Sequence, residues 1–391
     1  MTPPPFVPPR RTLMGPGPSE VHPDVLAAAA QPTLGHLDPA FIGLMDETKG
    51  LLQRAFLTEN RMTMPVSAPG TAGMQACVDN LVEPGATAVV CRNGVFGERI
   101  RQMVERAGGT AVVVDDEWGR AVTPDKLAAA LGAHPEATTV AFVHAETSTG
   151  ALSDAEVLAR IARDHGCLVV ADTVTSLGGV PVRVDGWGLD AVYSGTQKCL
   201  SAPPGLSPVT FSDRALDRVR ARETPVNSWF LDVSLVAAYW DGGQKRAYHH
   251  TAPVNAVYAL YEALRRLHEE GLEAVWERHA RMHRALRAGL EALGLRFVVP
   301  EAERLPQLNA VWVPEGVDDA AVRRRLLDRH GLEIGGGLGD SAGRAWRIGL
   351  MGHGARAENV RLCLGALEAV LDRSGGVAAA EPFLESADVA A

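Results

Sequence analysis

Between residues 62 and 212, short apolar runs alternate with longer stretches of helical pattern, and this alternation limits the chain more than any other feature. Met64 to Val66 reads as a strand, followed by the helical SAPGTAGMQACVDNLV. The runs ATAVVCR, TAVVVDD, TTVAFVHAE and GCLVVAD then read as strands separated by NGVFGERIRQMVERAG, TPDKLAAAL and SDAEVLARIARDHG. Strands of four to seven apolar residues with helices between them form βα units. Repeated βα units with short connections predict an α/β fold built on a mostly parallel, doubly wound sheet. Aromatics at only 5% and 40 glycines suit such an Ala/Val/Leu/Gly-rich sheet better than a β-sandwich.

Two of these strands end in chemistry. The run Leu168 to Ala171 stops abruptly at Asp172, and a second short strand, Ala191 to Ser194, leads into a polar turn carrying Lys198. Ligands of open α/β sheets gather at the carboxyl ends of strands. An acid and an amine at neighbouring strand ends are the two groups that pyridoxal phosphate chemistry requires: the lysine forms a Schiff base, and the acid keeps the pyridine nitrogen protonated. The same two residues also fit a turn cap and a solvated charge, because an acid and a lysine 26 positions apart recur by chance. A third candidate lies after the first strand. Gly70, Thr71 and Ala72 open a helix, where small residues let an anion approach backbone N–H groups at the positive helix end. The segment matches neither G-x-G-x-x-G nor G-x-x-x-x-G-K, and a plain tight turn accounts for it equally well.

Several ordered motifs decide among these readings. SGTQKCLSAPPG resembles the cofactor-lysine segment of the class V, fold type I aminotransferases, and VHAETSTG, ADTVTSLGG, RAYHHTAP and GGGLGDSAGRAWRIGLMG follow the pattern of the alanine:glyoxylate and serine:pyruvate group. The resemblance runs from MGPGPSEVHP near residue 15 to about residue 370. It implies a large domain binding pyridoxal 5'-phosphate, a smaller C-terminal α/β domain, and a ping-pong transfer of an amino group between small amino acids and 2-oxo acids. By position, the family's roles fall on Lys198 and Asp172 as catalytic groups and on Gly70, Thr71, Ala72 and Gln197 at the cofactor phosphate. Phe96 takes a place against the cofactor ring where relatives often carry tryptophan, though it equally suits a core position. Val174 lines the cofactor, and Thr147 stands near its phenolic oxygen. Arg347 matches the residue that grips the substrate carboxylate, a task suited to the two parallel N–H bonds of a guanidinium. Tyr248 and Thr251 match residues that reach the neighbouring subunit's phosphate, which implies a homodimer with shared sites. Two relatives on the same fold provide alternatives: pyridoxamine:pyruvate aminotransferase, which also shows K-C-L at its lysine, and lyases such as cysteine desulfurase, which carry histidine where this chain has Gln197.

The remaining features set bounds. At 391 residues, the chain has room for two domains. The expected division is an extended Pro-rich arm at 1–14, a large domain at 15–265, a small domain at 266–374 and a loosely ordered tail at 375–391. Ser19 is the expected cap of a helix from about His22 to Ala30, and a second amphipathic helix sets Phe41, Leu44, Met45, Leu51 and Leu52 on or near one face. No apolar run approaches the length of a membrane span, and prolines stand where a signal peptide would need its apolar stretch. A net charge of −9 with dispersed Lys and Arg argues against nucleic acid. Five scattered cysteines suggest reduced thiols and a cytoplasmic protein. His249–His250 and the pair His279 and His283 lack the carboxylate that would complete a metal motif, so no metal is expected and these read as surface histidines.

Overall fold

Each apolar run becomes a strand in the computed structural model, which describes residues 2–240 and 246–384. In chain order they are β1 (Met62–Val66), β2 (Thr87–Arg92), β3 (Thr110–Asp115), β4 (Ala137–Val143), β5 (Leu168–Asp172), β6 (Ala191–Tyr193) and β7 (Ser207–Phe211). They form one seven-stranded sheet in the order β1-β7-β6-β5-β4-β2-β3. Neighbours from β6 across to β3 pair in parallel, and β7 runs antiparallel to both β6 and β1. Helices cover the sheet, so its inner strands bury residues on both faces and read as apolar throughout. The chain winds outward from β2 to β3, then returns to the other side of β2 as β4 and continues to β5 and β6. The winding direction therefore reverses between β2 and β4, the point where open α/β sheets leave a crevice.

A second, smaller core lies against this one. Its sheet contains β8 (Leu308–Trp312), β9 (Gly335–Gly336) and β10 (Ala345–Gly349), all antiparallel with β10 in the centre. The helix Leu272–Ala292 joins the two cores: Leu272 and Val275 pack in the first, and Met282 to Leu290 in the second. The change of core thus falls inside this helix. It does not fall at residue 265, which lies within the helix Val254–Glu270, whose Leu267 still packs on the large core.

Three further expectations need correction. The arm ends sooner than residue 14, because Thr12–Leu13 pairs in parallel with Leu332–Glu333 and Met14 is buried in the small core. Ser19 does not cap the first helix, which spans Pro23–Ala29; the His22 ring nitrogen accepts the Asp24 N–H at 3.1 Å in its place. The tail is not loose from residue 375, since Gly376–Leu384 forms a helix with Ala380 and Leu384 in the small core. Val377, Ala380 and Leu384 stand three and four residues apart, the spacing of a helical stripe. The rest of the expected tail, 385–391, lies outside the described residues. FVVP contributes one bridge, Phe297 to Val311, and no full strand. The helix Pro39–Phe56 buries Phe41, Met45, Leu51 and Leu52 of its expected face, while Leu44 at the edge of that face is only half-buried. Among the described residues no helix is long and apolar enough to cross a membrane.

Removing residues 376–391 should uncover the small core. The expected loss is about 3 kcal/mol, from re-exposing Leu384, Ala380 and Val377, read as a lower midpoint in urea unfolding of the truncated protein. An unchanged midpoint would show that the helix adds no stability.

Candidate active site

The crevice at the sheet reversal gathers the ends of β2, β4, β5 and β6. Asp172 closes β5, where its Oδ1 accepts the Val174 N–H and its Oδ2 accepts the Tyr193 hydroxyl, both at 2.8 Å. Register brings Tyr193 there, because Asp172 and Tyr193 pair across β5 and β6. Burial pushes the Asp172 carboxyl up to about 7, and the nearby Glu146 charge adds to this; the two hydrogen bonds and Lys198 pull the other way.

Lys198 follows β6 through the turn Ser194–Gln197 and is 8% exposed. Burial first, and then the charge of Arg347, bring its amine down to about 8. Its Nζ donates to the Pro16 carbonyl. The segment carrying Pro16 is fixed on both sides: Gly349 N–H bonds the Met14 carbonyl at 2.7 Å, and the Ser19 hydroxyl donates to the Lys198 carbonyl at 2.7 Å. Gly17 has a φ of +104°, and a Cβ there would meet Lys198 Nζ at 2.6 Å. Glycine is therefore required on both conformational and steric grounds.

On one side of Asp172 lies the start of the helix Gly70–Leu81, which has no side-chain cap. A Cβ on Gly70 would stand 3.4 Å from both the Ser194 carbonyl oxygen and Val174 Cγ2, ordinary van der Waals contact, so the helix start borders the Ser194 turn and Val174. Gln197 Oε1 lies beside Gly195, which borders Gly70, and is buried with no hydrogen-bond partner among the described residues. Buried polar atoms are normally satisfied. The open N–H groups of the helix start and the NH2 end of the Gln197 amide are donors of the kind that a phosphate-bearing ligand takes, so the residues present fit the group that the sequence implies. Thr71 is exposed, and its hydroxyl accepts from Arg99 at 3.2 Å; the Arg99 guanidinium stands 5.0 Å from the Phe96 ring. Ala72 is half-buried beside them.

On the other side lies Arg347 of β10, 7% exposed. Its Nε donates to the Gly336 carbonyl at 2.7 Å, and its Nη1 to the Thr147 carbonyl at 3.0 Å. Burial brings this guanidinium down to about 10 while Glu146 opposes the shift. The Thr147 hydroxyl meets the Thr175 hydroxyl.

Asp172, Val174, Lys198, Thr147, Arg347, Gly70, Gln197 and Phe96 thus surround one crevice. Tyr248 and Thr251 do not join them within the chain: both are exposed, and the Tyr248 ring lies 5.2 Å from that of His36. Sequence reasoning passed over Tyr193, Glu146 and the Pro16–Gly17 segment. Glu146 offered the signal that had exposed Asp172, a charge ending an apolar strand. His279 is not a surface residue: it is fully buried, bonds the Val275 carbonyl through Nδ1 at 2.7 Å, and accepts the Gly352 N–H at 2.9 Å. All five cysteines are buried free thiols.

An amine brought down to about 8 is a nucleophile at lower pH than a surface lysine. In the cofactor-free protein, aldehyde labelling of Lys198 followed by peptide mapping should rise with a midpoint near pH 8. A midpoint near the ordinary 10.5 would remove the desolvation argument.

Comparison with known proteins supplies the context for this crevice. The family model described as Aminotransferase class-V matches residues 24–358. The alanine–glyoxylate aminotransferase of Callithrix jacchus is 40% identical, over 93% of this chain and 88% of the relative. A crystal structure of alanine–glyoxylate aminotransferase from Nostoc sp. superposes with a TM-score of 0.92 at 46% identity, covering 95% of this chain and 98% of the other. The ureidoglycine–glyoxylate aminotransferase structure from Bacillus subtilis gives a TM-score of 0.94 at 38% identity, covering 97% and 100%.

Proposed function

Because the chain belongs to the class V aminotransferases, enzymes of fold type I that use pyridoxal phosphate, we propose that it moves the amino group of a small amino acid, alanine or serine, to glyoxylate or pyruvate. One arrangement carries the reading: the buried Asp172 and Lys198 lie at the ends of neighbouring strands, and the buried Arg347 of the small core is brought to the same strand ends by the Thr147 carbonyl at 3.0 Å. The names of all three similar proteins include glyoxylate, which supports glyoxylate as the acceptor.

Bound pyridoxal phosphate supplies an aldehyde to carry the amino group and a ring that withdraws electrons from the substrate Cα. Lys198 would hold the cofactor through its amine, and the same amine, freed, would serve as the general base for the substrate's Cα proton. An amine near 8 suits that task better than one at the ordinary 10.5, because about a tenth of it is neutral at pH 7 where the ordinary lysine has well under a thousandth. Asp172, as a carboxylate, holds a proton on the pyridine nitrogen, and a cationic ring beside it would draw the acid down from its value of about 7 in the unliganded site. Tyr193 and Val174 fix the direction of that carboxylate. Gly70, Thr71, Ala72 and Gln197 would hold the phosphate, Phe96 would be the ring's aromatic neighbour, and Thr147 would serve the phenolic oxygen. The carbonyls of Gly336 and Thr147 orient the Arg347 guanidinium, which takes the carboxylate of the amino acid in one half-reaction and of the oxo acid in the other. The phosphate corner argues against pyridoxamine as the donor, since that molecule has no phosphate to bind.

We assign Tyr248 and Thr251 to the second subunit's phosphate in a cytoplasmic homodimer. Their exposure in the single chain and the free thiols support this.

Purified protein given alanine and glyoxylate should produce pyruvate and glycine. Arg347→Ala should raise the KM for glyoxylate about 100-fold, the effect of losing a charge-assisted bidentate contact, and Lys198→Ala should abolish turnover. An unchanged glyoxylate KM in Arg347→Ala would remove the arginine from its role. No product from wild type with alanine or serine and either oxo acid would reject the substrate class.

A further inference from the structure

Glu146 stands just beyond β4, at the sheet reversal, and is fully buried. Its oxygens accept from four donors. Oε1 takes the Ser148 N–H at 3.0 Å and the Ser148 hydroxyl at 2.6 Å; Oε2 takes the Phe96 N–H at 3.2 Å, and the Gly97 N–H also bonds this carboxylate. Burial pushes the Glu146 carboxyl up from its ordinary range, and the four donors pull it back toward the carboxylate, which only accepts. An amide in its place would turn two N–H groups against them. The contact reaches across the reversal point, because Phe96 and Gly97 belong to the helix Val95–Arg106 that follows β2. That helix has no side-chain cap of its own, since its cap residue is Gly94. Glu146 takes over the capping from another strand, and it fits only because Gly94 is bare: a Cβ there would lie 2.5 Å from Glu146 Cδ. Negative charge at a helix start is also favoured by the helix dipole.

The other end of this clamp reaches the substrate side. The residue after Glu146, Thr147, gives its carbonyl to Arg347 Nη1 and its hydroxyl to Thr175. Glu146 also acts through space on both charged groups of the site, favouring the cation at Arg347 and opposing the anion at Asp172. One buried carboxylate therefore ties the helix bearing the cofactor-side aromatic ring to the turn that orients the carboxylate-binding arginine.

We propose that Glu146 is a positioning residue for transamination: it holds the Phe96 helix start and the Thr147 turn in one register, and so couples cofactor retention to substrate-carboxylate binding. This rests on the aminotransferase reading above. The test compares Glu146→Gln, Glu146→Asp and Ser148→Ala holoenzymes with wild type and with Val104→Ala, a buried core change on the same helix that leaves the clamp intact. Pyridoxal phosphate dissociation is followed by equilibrium dialysis starting from holoenzyme, glyoxylate KM and kcat are measured at saturating donor, and Tm is recorded. Glu146→Gln should raise both the cofactor dissociation constant and the KM about tenfold while kcat changes less than about threefold, the scale expected when a buried charged hydrogen-bond set is lost and its neighbours shift. Glu146→Asp should recover part of both effects, and Ser148→Ala should shift both in the same direction by a smaller factor. Val104→Ala should lower Tm with both constants unchanged. If Glu146→Gln lowers Tm as Val104→Ala does and leaves both constants at the wild-type values, Glu146 is only structural and the proposal fails. If Glu146→Gln does not fold, unchanged constants in Ser148→Ala overturn it equally. Dialysis and Tm need no substrate, so a wild type inactive on glyoxylate would reject the substrate reading and leave this test decisive.

Discussion

A carboxylate and an amine, Asp172 and Lys198, are held out of water at adjacent strand ends, and much of the surrounding structure serves to keep them there. Burying either charge alone is costly, and burial shifts each group toward its neutral form. The protein offsets this for Asp172 with the Tyr193 hydroxyl and the Val174 N–H. Lys198 is met by the Pro16 carbonyl, on a segment anchored to the small core through Met14 and to the lysine's own turn through Ser19. The lysine is therefore bounded by both cores, although its strand belongs to one. Arg347 shows the same arrangement from the other direction, being a small-core residue oriented by a carbonyl of the large domain.

Part of this was legible because it rests on local pattern. Apolar runs ending in a charge located β5 and Asp172, and the alternation of strands and helices located the sheet. The helix start at Gly70 was legible as small residues after a strand. What escaped depends on pairing and distance. Tyr193 reads as one more apolar strand residue until register sets it opposite Asp172. Pro16 and Gly17 read as a turn, because nothing local says that the turn will lie over a lysine more than 180 positions later. The boundary inside Leu272–Ala292 was hidden for a similar reason: a helix with a continuous apolar stripe gives no sign that its two halves face different cores. The helix Gly376–Leu384 was masked by the glycines before it, although its stripe of Val377, Ala380 and Leu384 was present.

Electrostatics joins these parts into one site. Glu146 acts on Asp172 and Arg347, and Lys198 on Asp172 while Arg347 acts on Lys198, all among buried groups, so protonation at one of them is felt at its neighbours. A site of this kind responds to a bound cation or anion as a unit, which suits a reaction that moves protons and carboxylates through the same space in both directions.

The most direct test of the central claim is to reduce the pyridoxal phosphate-loaded protein with borohydride and map the modified residue by peptide mass spectrometry. The account predicts one phosphopyridoxyl group per chain, on Lys198. A stable label on another lysine, or no label on a protein that still binds the cofactor, would contradict it.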